Sequence, residues 1–148
     1  MTMASPDKRI TDFIEEHHVA ALTVSDGCDL WGWSAFYIYI SEERLFVITS
    51  EEKTRHIQIL RNAKEPLVAG VISLETETVG LIRGVQFCAT MEIPEGGFLN
   101  RYRLRYLKRF PYALLKPADL WLLKVKEFKF TDNRLGFGKK LLWKEDSV

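Results

Sequence analysis

Short segments rich in β-branched and aromatic residues dominate the chain, and most are separated by only a few turn-forming residues. Segments 18–24, 30–40 and 44–49 are joined by Ser25-Asp26-Gly27 and by Ser41-Glu42-Glu43. Connections this short join antiparallel strands, because parallel neighbours need a crossover of a dozen or more residues. The pattern therefore predicts an antiparallel sheet rather than alternating strands and helices.

Further strands follow after residue 60. We predict them at 67–74, 79–93, 120–125 and 141–143, with a short one at 128–130. Segment 79–93 is long enough to bend strongly, and Gly84 could supply the bulge. About seven strands are expected in total. Short strands with edges to protect favour closure into a small barrel.

Three helices complete the prediction. A helix starts at Ser5-Pro6-Asp7 and runs to about His17, and another covers Phe98 to Arg109. A third begins after Thr49, with Ser50 as its N-cap, and ends near Asn62. The expected fold is a mainly β, α+β split barrel with the helices outside it or capping its ends.

The composition indicates a packed globule and excludes some partners. Of 148 residues, 47% are hydrophobic and only five are proline, which fits one domain over residues 1–148. The formal net charge of +1 gives no global electrostatic case for nucleic acid or membrane. No signal peptide or membrane-spanning run is visible, and Cys28 and Cys88 match no metal or redox spacing. A cytoplasmic location with reduced thiols is therefore expected.

The stretch from Thr49 to Leu60, TSEEKTRHIQIL, is the first candidate site. Hydroxyls, two fixed cations and an imidazole follow a strand and open a helix, and helix N-termini bind phosphate through free N–H groups. The group comprises Thr49, Ser50, Lys53, Thr54, Arg55 and His56. A well-capped surface helix with solvated charges is the alternative. The glycines of a nucleotide triphosphate loop are missing.

Other segments carry weaker signals. Arg83 and Gln86 lie in an otherwise apolar strand, where they could contact a ligand, face a subunit interface or form an ion pair. The segment 131–140, TDNRLGFGKK, places Phe137 between two glycines and Lys139 after them, as in a ligand-contacting loop or a bulged turn. In 100–110, five cations interleave with aromatics spaced as a core-facing helical stripe, so nucleic-acid binding is disfavoured.

Catalytic and metal signatures give little. His17 and His18 are adjacent and diverge on any regular element, so they do not form a metal pair by themselves. We find no carboxylate pair, nucleophile elbow or Cys/His arrangement that suggests hydrolysis, and we predict no metal site.

The order of these features, together with IRGVQF at 82–87 and the closing FTDNRLGFGKKLLW at 130–143, resembles the pyridoxamine phosphate oxidase-like FMN-binding split-barrel superfamily. The last two motifs resemble a small bacterial subfamily of it. The resemblance covers about Thr11 to Trp143. It implies a homodimer with FMN bound between the subunits.

The resemblance also implies roles for particular residues. Thr49 corresponds to the hydroxyl residue that ends the strand before the phosphate-binding helix, and Lys53-Thr54-Arg55 to the cluster at the helix start. Ser34-Ala35-Phe36-Tyr37 corresponds to the strand along the isoalloxazine edge. Arg83-Gly84-Val85 lacks the family's flavin-contacting glutamine, which Gln86 could replace. Phe137 and Lys139 could reach the partner subunit's flavin.

Three functions remain open at this point, of which RNA binding by a small barrel through Arg101, Arg103, Arg105 and Lys108 is the weakest because the net charge is near zero. The first is an FMN-dependent oxidoreductase acting on an unknown small substrate. It is not expected to be a true pyridoxamine phosphate oxidase, because no Arg-x-His element follows Leu120. The second is a non-enzymatic binding module for haem or another anionic ligand, with His56 or His18 as axial ligand.

Overall fold

The computed structural model describes residues 4–146, which form three α-helices and eight β-strands. The helices are α1 (Lys8–Glu16), α2 (Arg55–Asn62) and α3 (Gly97–Arg109). The strands are β1 (Val19–Ser25), β2 (Leu30–Phe36), β3 (Ile38–Ile40), β4 (Leu45–Ser50), β5 (Leu67–Ser73), β6 (Arg83–Glu92), β7 (Asp119–Asp132) and β8 (Lys140–Lys144).

All strand pairs are antiparallel, in the order β2-β1-β5-β6-β7-β4-β3, with β8 added to β7. The first part of β7 pairs with β4 and the second part with β8. Strands β2 and β3 lie at opposite ends of this order although only Tyr37 separates them in sequence. The sheet therefore has to curl until its ends meet. This confirms the predicted small α+β split barrel.

Aromatic side chains fill the inside of the barrel. The rings of Phe46 and Phe87 stack with centroids 4.6 Å apart, and Phe128 meets both at a steep angle. A Cβ at Gly70 would lie 2.1 Å from the Phe87 ring, so only glycine fits beneath it. Tyr37 is fully buried and donates a hydrogen bond to the Ile14 carbonyl, which ties α1 to the barrel.

A second apolar layer lies under α3. Tyr102 and Tyr106 of α3 are buried against the outward face of β3, β4 and the first part of β7. Phe110, one helical step further, is half-buried in the same layer. The predicted core-facing stripe of α3 is therefore confirmed. Residues 38–40 and 45–48 are buried on both faces, because the barrel core lies on one side and α3 on the other.

Several strand predictions were wrong in detail. The predicted strand 30–40 is broken at Tyr37, and residues 79–81 form a 3-10 turn, so β6 begins only at Arg83. The register shift in β6 lies between Cys88 and Ala89, not at Gly84. The segments 120–125 and 128–130 belong to one strand, β7. The split of one predicted strand and the merger of two others offset each other, and the sheet has eight strands, close to the number expected.

The described residues contain no helix that combines the length and apolarity needed to cross a bilayer. Cys28 and Cys88 are both free thiols, Cys28 exposed and Cys88 half-buried.

Candidate functional site

Helix α2 begins at Arg55, four residues later than predicted. Ser50 is not the N-cap, because it still belongs to β4 and pairs with Asp119 on β7. Residues 51–54 turn the chain, and Thr54 occupies the N-cap position with extended backbone angles. The sheet therefore takes residues that local helix signals assigned to the helix.

The N-terminus of α2 is left without a side-chain cap. The Thr54 hydroxyl donates to the Glu51 carbonyl at 2.8 Å instead of accepting from the helix. The first helical hydrogen bond runs from the Gln58 N–H to the Thr54 carbonyl at 3.0 Å. Across residues 4–146, the N–H groups of residues 55–57 have no protein acceptor. Three N–H groups at a helix start form an anion-binding position.

His56 lies beside this helix start and is held from two sides. Its Nε2 is 2.5 Å from Ser50 Oγ and 3.1 Å from Thr54 Oγ1, and its ring stacks on Trp33 with centroids 3.9 Å apart. The residue is 8% exposed. Burial lowers the pKa of His56 to about 4, so the imidazole is neutral at pH 7.

The proton on neutral His56 decides what Ser50 can offer a ligand. Because the Thr54 hydroxyl hydrogen is used on Glu51, Thr54 can only accept from His56. With the proton on Nε2, the imidazole donates towards both hydroxyl oxygens, and the Ser50 hydrogen is free to donate to an anion. With the proton on Nδ1, Ser50 donates to Nε2 instead. The first tautomer satisfies both contacts.

Two cations flank the α2 start. The Arg55 guanidinium lies over the Trp31 ring, 4.0 Å from its centroid. Lys53 is exposed and forms an ion pair with Glu51 at 3.4 Å. An exposed pair of this length is weak, so Lys53 can move to an anionic ligand at little cost. The structure thus brings Ser50, Thr54 and Arg55 together, with Lys53 beside them.

Thr49 is separated from this group. Neighbouring residues of a strand face opposite ways, and Thr49 points to α3, where it donates to the Tyr106 hydroxyl at 3.3 Å. Tyr106 in turn donates to the Phe36 carbonyl at 3.5 Å. The role of Thr49 in the structure is to link β4, α3 and the end of β2.

An open groove of about 580 Å³ lies next to the turn before α2. Glu51, Glu52 and Asp119 line it together with Lys53 and Arg103. Arg61 pairs with Glu52 at 2.8 Å. Even so, the groove presents three carboxylates, which disfavour an anionic ligand there. The helix N-terminus, and not this groove, is therefore the favourable position for a phosphate.

The predicted residues on β2 and β6 share one surface. Ser34 pairs with Ala21, Ala21 with Val71, and Val71 with Gln86, so Ser34 and Gln86 lie in one row across four strands. Ala35 points into the barrel and is buried. Phe36, which is exposed, lies on the same outward face as Ser34.

This outward surface of β2, β1, β5 and β6 carries no charged residue at the four paired positions on each strand. The positions, which we call the uncharged face, are Leu30, Gly32, Ser34, Phe36, Val19, Ala21, Thr23, Ser25, Leu67, Ala69, Val71, Ser73, Gly84, Gln86, Cys88 and Thr90. Because 28% of the chain is charged, a solvent-facing surface would carry several charges. Depletion of charge is typical of the core of a protein interface.

Arg83 belongs to a different part of the molecule. Its guanidinium reaches Glu16 at 3.4 Å and lies 5.3 Å from the Phe13 ring centroid. Its Nε is buried and has no hydrogen-bond partner among the described residues. The contacts of Arg83 therefore attach β6 to α1.

The TDNRLGFGKK segment is held by its own polar groups. Asp132 is buried and accepts two hydrogen bonds from the Arg134 guanidinium, at 2.9 and 3.0 Å, and one from the Arg134 N–H. These bonds lower the pKa of Asp132. Phe137 is 84% exposed between Gly136 and Gly138, both with positive φ, and Lys139 is exposed beside it.

The two groups of predicted residues lie far apart within one chain. Ser50 pairs with Asp119 at the start of β7, and Arg83 pairs with Asp132 at its end. A straight strand of this length would span roughly 40 Å. The two groups therefore lie against opposite ends of β7.

The sequence grouped His56 with its hydrogen-bonding neighbours Ser50 and Thr54 but did not indicate the two tryptophans that pack against the α2 start. Trp31 and Trp33 stand on the same face of β2, and each stacks on a side chain from the start of α2. Alternate tryptophans in a strand were the available signal, but the register that brings β2 to α2 is a long-range property.

The other two histidines differ in exposure. The Nδ1 of His17 lies 2.8 Å from the Phe13 carbonyl, which fixes its ring. His18 is exposed, and its ring lies nearly parallel to that of Phe36 at 6.0 Å. No group of three or more potential metal-ligating side chains occurs in the part of the chain that the structure describes.

Solved structures share this fold. A haem-binding protein from Mycobacterium smegmatis superposes with a TM-score of 0.70 at 17% identity, over 89% of this chain and 57% of that one. An FAD-binding protein from Mesorhizobium loti gives 0.65 at 12% identity, over 86% and 96%. A Listeria innocua protein described as a candidate pyridoxamine 5'-phosphate oxidase gives 0.65 at 12%, over 83% and 95%. The fold is thus that of pyridoxamine phosphate oxidase-like split barrels.

Sequence comparison is more specific. The UPF0306 protein YhbP of Escherichia coli is 40% identical over 138 residues, which cover 93% of this chain and 92% of that protein. The chain therefore belongs to the UPF0306 family. No protein-family model matches the chain.

Proposed function

We propose that the protein is an FMN-binding flavoprotein that works as a homodimer, with oxidoreductase activity on a small substrate. The observation that carries the proposal is the uncapped start of α2, where the N–H groups of residues 55–57 meet Ser50, Thr54, Lys53 and Arg55. A flavin-binding protein with the same fold supports it.

The residues at the α2 start fit a phosphate group. The N–H groups and the Ser50 hydroxyl supply neutral donors, while Arg55 and Lys53 supply charge-assisted ones. Trp31 keeps Arg55 beside the helix start rather than in solvent, because the guanidinium rests on its ring at 4.0 Å. Neutral His56 adds no charge, but it fixes the orientation of Ser50.

The flavin ring would extend from the α2 start along the edge of β2. This strand pairs only with β1 in the described structure, so its other edge is open. Ser34, Ala35, Phe36 and Gln86 are the residues proposed to border the ring. When bound, the flavin supplies the hydride chemistry, which explains a site without a recognisable protein acid or base.

The uncharged face is proposed as the surface on which a second copy packs. It contains Ser34, Phe36 and Gln86, so dimerisation would enclose the ring beside these residues. Phe137 and Lys139 follow the end of β7 that pairs with Arg83, whereas Ser50 pairs at its start, so we assign them to the partner's site rather than to their own. In the dimer, these two residues would approach the partner's flavin.

The decisive experiment is an FMN titration of the Lys53→Ala/Arg55→Ala variant. Loss of both cations should weaken binding by about a thousandfold, because each charge-assisted contact to phosphate contributes roughly 2 kcal/mol. The matched control is Lys64→Ala/Lys126→Ala, which removes two exposed cations elsewhere. Unchanged FMN affinity in the first variant would refute the phosphate assignment.

The dimer has its own test. The variant Ala21→Glu/Val71→Glu places charges in the middle of the uncharged face. We expect light scattering to report a dimer for the wild type and a monomer for the variant. Equal masses would show that the face is not the subunit interface.

Haem binding is the second candidate, and exposed His18 favours it. The Nε2 of His56 is already engaged by two hydroxyls, whereas the ring of His18 is open to solvent. A haem-binding protein also shares the fold. Haem titration should then give a Soret shift that disappears in His18→Ala and persists in His17→Ala. No shift in the wild type would exclude this function.

A further inference from the structure

We propose that the end of α3 and the turn after it form a docking surface for an anionic lipid bilayer. We name this the α3 docking surface. It consists of Leu104, Lys108, Tyr112, Leu114, Leu115 and Lys116. The proposal does not depend on the identity of the cofactor.

The apolar side chains of the α3 docking surface are unusually exposed. Leu104 is 70% exposed, Tyr112 85%, Leu114 65% and Leu115 82%. Each of these exposed side chains costs free energy in water, and the four lie within twelve positions along α3 and the turn that follows it. Such a group indicates a surface that is covered when the protein functions.

The segment that carries these side chains contains charged residues of one sign only. Residues 97–118 contain six Lys or Arg and no Asp or Glu, although the whole chain is nearly balanced at 21 to 20. Arg101 pairs with Glu43 and Arg105 with Glu42. Lys108 and Lys116, which flank the leucines in sequence, form no ion pair within the described structure. The partner is therefore expected to be anionic.

The backbone holds the apolar side chains outwards. Residues 111–115 form a 3-10 turn that begins at Pro111 and is followed by Pro117. Behind the turn, α3 is anchored by buried Tyr102 and Tyr106 and by Arg109, which donates to the His17 carbonyl at 2.7 Å. Tyr112, Leu114 and Leu115 thus stand on a turn whose backbone is already formed. The backbone does not have to order on binding, which lowers the entropy cost.

Aliphatic side chains next to lysines favour lipid over nucleic acid. Bases stack on aromatic rings, but only Tyr112 among the four exposed apolar residues offers one. Leucine and tyrosine side chains suit the boundary between headgroups and acyl chains, while lysines contact anionic headgroups. This combination points to a bilayer that contains acidic phospholipid.

The α3 docking surface is separate from the uncharged face. Helix α3 covers the outward side of β3, β4 and the first part of β7, whereas the uncharged face belongs to β2, β1, β5 and β6. The two surfaces share no residue and adjoin where Phe36 packs against Phe110, with ring centroids 5.3 Å apart. In a dimer, two docking surfaces would act together and raise the apparent affinity.

The test is vesicle flotation of the full chain. We expect the protein to float with phosphatidylcholine vesicles containing about 30% phosphatidylglycerol at about 0.1 M salt, and not with phosphatidylcholine alone. The variants Leu114→Ser/Leu115→Ser and Lys108→Glu/Lys116→Glu should each reduce the floated fraction about tenfold or more. Their matched controls are Val79→Ser/Leu81→Ser and Lys64→Glu/Lys126→Glu, which should float like the wild type.

Other outcomes would overturn the proposal. Equal flotation with neutral and acidic vesicles, or none with either, would exclude recognition of acidic lipid. Unchanged flotation of both docking-surface variants would place the lipid contact elsewhere. A shift to a smaller oligomer in Leu114→Ser/Leu115→Ser would show that a second copy covers the leucines. Salt-sensitive retention on RNA without flotation would assign the surface to nucleic acid.

Discussion

Helices α1 and α2 begin in opposite ways. At the start of α1, the Asp7 carboxylate accepts from the Arg9 N–H at 2.9 Å and also binds the Arg9 guanidinium. These bonds lower the pKa of Asp7 to about 2. At the start of α2, the Thr54 hydroxyl turns away and donates to the Glu51 carbonyl.

The contrast separates structural polar groups from those open to a ligand. The start of α1 is satisfied by its own side chains and lies near Asp132 and Arg134, another closed pair. At the start of α2, no acceptor among the described residues binds the free N–H groups, the serine hydroxyl and the two cations together. The start of α3 also lacks a side-chain cap, so it is the serine hydroxyl and the two cations beside α2 that favour this helix start as a binding position.

Among changes that test the contrast between the two helix starts, closing the open start of α2 should have the largest effect. The variant Thr54→Asp would cap α2 as Asp7 caps α1, occupying N–H groups and repelling phosphate. We expect about 100-fold weaker FMN binding in a fluorescence titration, because an anion and a carboxylate compete for the same dipole end. The unfolding free energy should rise by about 1 kcal/mol in urea.

The control for this change is Thr54→Ser, which keeps a hydroxyl and should alter neither quantity. Full FMN affinity in Thr54→Asp would show that the ligand does not use the helix N–H groups.

The second effect concerns acid pH and His56. In the folded state burial lowers the pKa of His56 to about 4, below the ordinary histidine value of 6.5. Between these values the unfolded chain binds a proton that the folded chain does not, so stability falls as pH drops from about 6.5 to about 4, by about 2 kcal/mol. Above pH 7 this contribution is constant.

The measurement is urea unfolding of the wild type and His56→Gln at several pH values. In the variant, the unfolding free energy should fall less steeply as the pH drops from about 6.5 to about 4. Because both proteins carry the same carboxylates, the carboxylate contribution cancels when the two curves are subtracted. Identical slopes in both proteins would mean that His56 is protonated in the fold.

The smallest effect compares the two caps directly. The variant Asp7→Ala removes a cap and should cost about 1 kcal/mol of unfolding free energy. Thr54→Ala removes no cap but removes the half-buried hydroxyl that bonds to Glu51 and His56, so we expect a smaller loss of about 0.5 kcal/mol. Equal losses in thermal or urea unfolding would contradict the difference between the two helix starts.

The fold was predictable because its evidence is local. Turns at residues 25–27 and 41–43 set antiparallel neighbours, and the spacing of Tyr102 and Tyr106 marked the buried side of α3. Details that depend on pairing were not predictable. Ser50 had the local signals of an N-cap, but its ladder partner Asp119 is 69 residues away and keeps it in β4.

The candidate site was predicted only in part for the same reason. Lys53, Thr54 and Arg55 were identified, yet Thr49 was grouped with them although strand geometry turns it towards Tyr106. The stacks of Trp31 on Arg55 and Trp33 on His56 depend on the tertiary path of β2. The distinctive motifs around Arg83 and Asp132 instead hold α1, β6 and the loop after β7 in place.

The path of β7 determines when the barrel can close during synthesis. Hairpins β1–β2 and β3–β4 leave the ribosome early, but β4 obtains its second neighbour only when residues 119–124 have been made. Until then β4 is paired only with β3, and no strand connects this hairpin to the rest of the sheet. The last fifth of the chain therefore joins the two early hairpins into one closed barrel, and an interruption of synthesis before residue 119 would leave both incomplete.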